Sequence, residues 1–229
     1  MSSLKERLQS IEQRIAAACQ KVGRDAASVQ VLPVSKTFDA SVIREAVGLG
    51  LHRFGENRLQ EIAHKAPELT DCDVQWVVIG SVQTNKAKEV AKYASELQSL
   101  DRIELALALD KRLQASHRTL DVLVQVKTSP EESKAGLPPE SLEHFLREVA
   151  QLPTLRVKGL MTMAVLSDDT KAVRACFSQL RQWRERMQAL AIDGVSLDRL
   201  SMGMSGDFEI AIEEGSTEIR VGSALFGSR

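Results

Sequence analysis

A lysine that closes a buried strand is the residue of this chain best placed for covalent chemistry. In "LPVSKTFDA" (32–40), Val31, Leu32 and Val34 read as a short apolar strand that runs into Lys36. Most lysines are solvated, and an exit into solvent accounts for this one when the stretch is taken alone. At the rim of a core the meaning changes, because burial disfavours the ammonium and a neutral amine can attack an aldehyde to give a Schiff base. The stretch "LSMGMSGDFEIAIEEGSTEIRVGSALFG" (200–227) offers a second chemistry. Ser201 and Gly203 stand at the end of one strand, Gly222 and Ser223 at the end of the next. Small residues there let backbone N–H groups and hydroxyls approach a phosphate, although tight turns use the same residues. Arg220 keeps its charge in proteins, so it can donate a hydrogen bond to a neutral ring nitrogen; Glu209, Glu213 and Glu218 are alternative partners for it. "HRFGENRLQE" (52–61) sets Glu56 and Asn57 at another strand end, where Asn57 can line a mouth. In "QWVVIGSVQTNKAK" (75–88), Trp76 reads as core, and Lys86 reads equally as a solvated helix-start residue or a phosphate partner.

These segments form one site only if a sheet brings its strand ends to one face. Leu4, Leu8, Ile11, Ile15, Ala18 and Val22 recur at helical spacing behind Ser2 and Ser3, so a helix opens the chain within residues 1–24. Strand patterns then fall near 30–36, 52–56, 75–80, 97–101, 119–127, 155–161, 198–203 and 217–221. Helical patterns alternate with them at 40–49, 85–93, 103–115, 141–152 and 170–190. Alternation of this kind dictates right-handed βαβ units and a parallel sheet, which eight repeats can close. A (β/α)8 barrel takes about 250 residues and manages with about 200, so 229 residues suffice. The expectation is an α/β chain of one domain, 1–229, with a TIM-type barrel over 28–229 behind the N-terminal helix. An open doubly wound sheet is second, and it lacks the GxGxxG turn such sheets use after their first strand.

With 30 basic and 31 acidic residues the net charge is -1, which gives no electrostatic footprint for nucleic acid or an anionic membrane. Cys19, Cys72 and Cys176 show no CxxC spacing and the four histidines no HExxH, so no disulfide framework or metal is expected and a reducing cytoplasm fits. Charged residues interrupt the N-terminal apolar pattern and no stretch is long enough to span a bilayer, so a soluble, untargeted, cytoplasmic protein is expected. The loops at 128–141 and 166–171 follow strands, on the side where barrels build sites; for 166–171 a plain surface loop is the preferred reading.

Lys36 at the end of the first strand is followed in order by "FGENRLQE", "WVVIGSVQTNK", "KGLM" and the C-terminal stretch above. Over nearly its whole length the chain resembles the pyridoxal phosphate homeostasis proteins. The resemblance implies a barrel like the N-terminal domain of alanine racemases, with pyridoxal 5'-phosphate (PLP) held as a Schiff base on Lys36. It also implies a phosphate site at Ser201, Gly222 and Ser223, with Arg220 facing the pyridine nitrogen and Asn57 among the cofactor-binding residues. The implied role is intracellular vitamin B6 homeostasis: a monomer or weak dimer that buffers PLP or hands it transiently to apo forms of PLP-dependent enzymes, rather than an enzyme. Lys134, in "SPEESKAG", is a second amine expected near the mouth, although a solvated loop lysine is the favoured reading. Val77 stands where the family usually has His, Phe38-Asp39 where a Lys-Pro pair often follows the lysine motif, and "TMAVLS" where a Pro-rich loop is usual. A racemase-like enzyme is the alternative, followed by a Schiff-base aldolase. Racemases place a tyrosine opposite the lysine from a second domain, for which this length leaves no room, and Tyr93, the only tyrosine, falls in the helix after the third strand.

Overall fold

The computed structural model describes residues 2–131 and 135–227. The elements run α1 (Leu4–Lys21), β1 (Gln30–Pro33), α2 (Ala40–Val47), β2 (Arg53–Glu56), α3 (Leu59–Lys65), β3 (Gln75–Val78), α4 (Ala87–Tyr93) and β4 (Ala94–Leu100). They continue with α5 (Ile103–Ala115), β5 (Leu120–Gln125), α6 (Leu142–Val149), β6 (Leu155–Met161), α7 (Thr170–Ala189), β7 (Val195–Met204), α8 (Phe208–Glu213), β8 (Glu218–Val221) and α9 (Ser223–Phe226). The strands pair in parallel, in the order β1-β8-β7-β6-β5-β4-β3-β2. The ring closes between β1 and β2, where Val34 bridges Gly55 and the Ser35 N–H donates to the Gly55 carbonyl at 3.1 Å. The fold is therefore the TIM-type barrel with an added N-terminal helix.

That added helix serves the far end of the chain. Its Ser3 and Glu6 form a reciprocal capping box, and Leu4, Leu8, Ile11 and Ile15 bury one stripe. On the same helix Arg7 donates to the Leu225 carbonyl at 2.5 Å, and Arg14 pairs with Glu209 at 2.6 Å. Just beyond it, Arg24 donates to the carbonyls of Ile212 and Ser216. These contacts tie α1 to α8 and α9, the elements that follow β7 and β8. Three of the helices, α3, α8 and the four-residue α9, fall outside the periodic segments read from the sequence. With 7, 6 and 4 residues they complete fewer than two turns, too few for a 3.6-residue period to show.

Candidate functional site

At the C-terminal ends of the strands lies a cavity of about 470 Å³. Lys36, Asn57, Arg220, Gly222 and Ser223 all line it, so five of the six residues singled out in the sequence meet there. Its walls include Val34, Ile79 and Met161. The loop beyond β7 contributes Ser205 and Gly206, and the Ala224 N–H donates to the Ser205 hydroxyl at 3.3 Å, which ties this loop to α9. Two glycines make the close approaches possible. A Cβ on Gly80 would lie 2.1 Å from the Asn57 carbonyl oxygen, and Gly203, at φ +96°, leaves no room beside Ala211 and Phe208. A groove of about 510 Å³ at the opposite end of the barrel touches Gln30, His52 and Arg53 but none of the six candidates.

Ser201 does not line this cavity. It is fully buried one step below, where its hydroxyl donates to Gln98 Oε1 at 2.7 Å and accepts from Arg220 Nη1 at 2.8 Å. Arg220 also donates to the Thr162 carbonyl at 2.7 Å. The acids considered as its partners are engaged elsewhere: Glu209 by Arg14, Glu213 by Lys21 and Arg174, and Glu218 by Arg53 and Arg199. Burial with a hydroxyl and a carbonyl for partners lowers the Arg220 guanidinium to about 10, an effect that Glu218 and Asp207 oppose through their charge. Gln98 carries the network downward, donating to Glu96 at 2.7 Å and to Glu218 at 2.5 Å. Because β4 and β8 are not neighbours, the second bond can only cross the barrel interior. Arg53 and Arg199 each bond both carboxylates, which compensates two buried negative charges and holds Glu218 below the usual carboxylate range despite its burial.

Lys36 is exposed, not partly buried as expected of a strand-end lysine. Its neighbours are held instead. Ser35 is fully buried, its hydroxyl donating to Glu56 Oε1 at 2.7 Å and its carbonyl accepting from Lys65 Nζ at 2.9 Å. Burial pushes the Glu56 carboxyl up, against the pull of Lys65 and Ser35.

The family model for the alanine racemase N-terminal domain matches residues 7–229. A pyridoxal phosphate homeostasis protein of Pseudomonas aeruginosa is 42% identical over 230 residues, covering 100% of this chain and 97% of that protein. The chain belongs to the pyridoxal phosphate homeostasis proteins. Among solved structures, PipY of Synechococcus elongatus with PLP bound superposes with a TM-score of 0.83 at 37% identity, covering 95% of this chain and 100% of PipY. Alanine racemase of Clostridium difficile shares the fold at a TM-score of 0.75 and 13% identity, with 56% of its chain covered.

Against the usual pattern of these homeostasis proteins, Val77 is fully buried and packs as core, as does Trp76. Lys86 pairs with Glu89 at 3.1 Å and does not reach the cavity. Tyr93 ends α4 under the Lys92 ammonium, also away from it. Lys134 lies outside the described residues. The sequence reading missed the Gln98 relay and the Lys65 contacts. A signal for the first was present, since Glu96 and Gln98, Arg199 and Ser201, and Glu218 and Arg220 are polar pairs spaced by two along strands, each facing one side of the sheet. For the second there was none, because α3 itself went unread.

Proposed function

We propose that this chain is a PLP carrier, one barrel unit that holds the vitamin through Lys36, buffers it and yields it to apo-enzymes without turning over amino acids. The observation that carries the reading is the gathering of a primary amine, a buried guanidinium and two short serine-glycine loops around one cavity with apolar walls. This donor set suits PLP, whose aldehyde, pyridine nitrogen and phosphate ask for those three partners. Bound PLP supplies an aldehyde carbon that a neutral amine attacks with loss of one water, giving a C=N bond that water reverses. Lys36 is the amine, and its exposure leaves it open to incoming ligand. Gly222 and Ser223, faced by Ser205 and Gly206, hold the phosphate end, and Asn57 borders the rim. Ser201 acts from beneath by holding Arg220 in place.

Arg220 favours a carrier over a catalyst. With a pKa of about 10 it keeps its charge at neutral pH, so it donates a hydrogen bond to a ring nitrogen and keeps that nitrogen unprotonated. Chemistry at an amino acid's α-carbon gains most from a protonated ring, which Arg220 opposes. The match to the racemase domain family favours a second reading, a racemase-like enzyme. That reaction needs a proton donor opposite the lysine, and none of the described residues lining the cavity is Tyr, His, Asp or Glu.

Two measurements test the proposal. The purified protein loaded with PLP should absorb visible light, borohydride should bleach it, and the label should map to Lys36; label concentrated on another lysine sinks the assignment. Incubation with L-amino acids in deuterated water should give negligible exchange at the α-carbon. Turnover in the ordinary enzyme range of about 1–1000 per second, abolished by Lys36→Ala, would establish the racemase instead.

A further inference from the structure

Lys36 sits in a tight turn whose two flanking peptide groups are both held by α3. The Phe38 N–H donates to the Ser35 carbonyl at 3.0 Å, which closes the turn, and Thr37 adopts a left-handed conformation at φ +67°. A β-branched residue is a poor occupant of that region, at a cost the surroundings must offset. The offset is visible. The Thr37 N–H donates to Glu61 Oε2 at 2.5 Å, a charge-assisted bond. Glu61 is in turn fixed by Lys65 Nζ at 3.1 Å, one helical turn along, and the same ammonium reaches Glu56 Oε1 at 2.7 Å and the Ser35 carbonyl at 2.9 Å. Lys65 is 5% exposed, so this geometry is set in the interior and not by chance at the surface. One carboxylate therefore grips the peptide after Lys36, and the ammonium that orients it grips the peptide before.

We infer that Glu61, steered by Lys65 and Glu56, is a positioning residue for Lys36: by accepting the Thr37 N–H it holds Thr37 left-handed and so fixes the direction in which Lys36 leaves β1 toward the cavity. Without Glu61, Thr37 relaxes toward the ordinary negative φ, the turn re-forms, and the amine swings away from the floor marked by Arg220. Glycine takes φ +67° without steric cost, so Glu61 should become dispensable when residue 37 is glycine. A purely structural role for Glu61 predicts no such rescue.

The inference rests on the assignment of Lys36 as the PLP-binding amine, and the experiment separates the two. Wild type, Lys36→Ala, Glu61→Ala, Thr37→Gly and the double variant Glu61→Ala/Thr37→Gly are loaded with PLP, and loss of the visible band is followed after dilution. In the unliganded proteins, hydrogen exchange of the Thr37 amide is measured in parallel. Glu61→Ala should release PLP about tenfold faster, the lower end of what one charge-assisted hydrogen bond commands, with the Thr37 amide losing protection. The double variant should release PLP at close to the wild-type rate while its residue-37 amide stays unprotected. Release from Glu61→Ala at the wild-type rate, or a double variant as fast as Glu61→Ala, overturns the inference and leaves Lys36 in place. A band that survives Lys36→Ala overturns the assignment beneath it. Lys65→Met is avoided because it would strand the Glu56 carboxylate, whose Oε2 already has no partner, in the core.

Discussion

Ser201→Ala should destabilise the protein and weaken PLP and pyridoxal equally. The substitution deletes the donor to Gln98 Oε1, at 2.7 Å, and the acceptor of Arg220 Nη1, at 2.8 Å. Gln98 keeps Glu96 and Glu218, whereas Arg220 is left with the Thr162 carbonyl alone and is held less firmly, so one polar atom of each side chain is unpaired in the interior. Stranding a buried polar atom costs about 1–3 kcal/mol, so the pair comes to roughly 2–6 kcal/mol. In a chain of this size each kcal/mol moves Tm by about 2–4 °C, which puts the expected drop at roughly 4–24 °C. Thermal and urea unfolding followed by circular dichroism measures it. Titration with PLP and with pyridoxal, which lacks the phosphate, supplies the second readout. Because the hydroxyl serves Arg220 and not the cavity, both ligands should lose affinity by the same factor, whereas Ser205→Ala should penalise PLP selectively. An unchanged Tm in Ser201→Ala, together with a loss confined to PLP, would place the Ser201 hydroxyl on the phosphate and refute the reasoning.

Gly203→Ala should be as damaging by another route. Its Cβ would fall 2.6 Å from Ala211 Cβ and 2.9 Å from Phe208 Cα at a positive φ, costing on the order of 2–4 kcal/mol in urea unfolding. Acid should also unfold the protein. Glu218 sits below its unfolded value because Arg199 and Arg53 outweigh its burial, and Glu61 because the Thr37 N–H and Lys65 do; Glu213 is lowered chiefly by its bond to Arg174. A carboxylate with a depressed folded pKa contributes stability that is complete above its unfolded value, about 4.5, and is lost as the pH falls through the folded one. Glu56 runs the other way: its raised pKa favours the folded state at low pH and gives that up as the pH rises. Asp71 is lowered too, by its bond to Arg44, and burial raises Asp207; with four lowered groups against two raised, urea midpoints should fall steadily below about pH 4.5, and a flat profile from pH 5 to 3 would contradict the network.

The amino-acid order by itself determined the barrel and the strand-end lysine. Alternating strand and helix patterns leave a parallel sheet as the consistent solution, and eight of them close it. Lys36 follows from the same logic, since Val31, Leu32 and Val34 define a buried strand and the residue behind it must emerge at the rim. Asn57, Gly222 and Ser223 were legible for that reason too. Which serine of "SMGMS" looks into the cavity was not. The register between β7 and β8 shifts between Ser201 and Met204, and β7 continues through Met204, so Ser201 stays inside the barrel and Ser205 lies on the loop. Nothing local distinguishes the two. The partners of Arg220 were likewise beyond reach, because five acids and six hydroxyl side chains lie within twenty residues of it and the contacts it makes, Ser201 and Thr162, depend on how the ring closes. The grip of α3 on Lys36 is the clearest case. Glu61 and Lys65 are 25 and 29 positions away in the chain, and they reach the turn only because β1 and β2 meet at the seam where the sheet becomes a cylinder. A strand's own pattern fixes which face each side chain takes, but contacts across a closed sheet are set by curvature and stagger, which no single segment encodes.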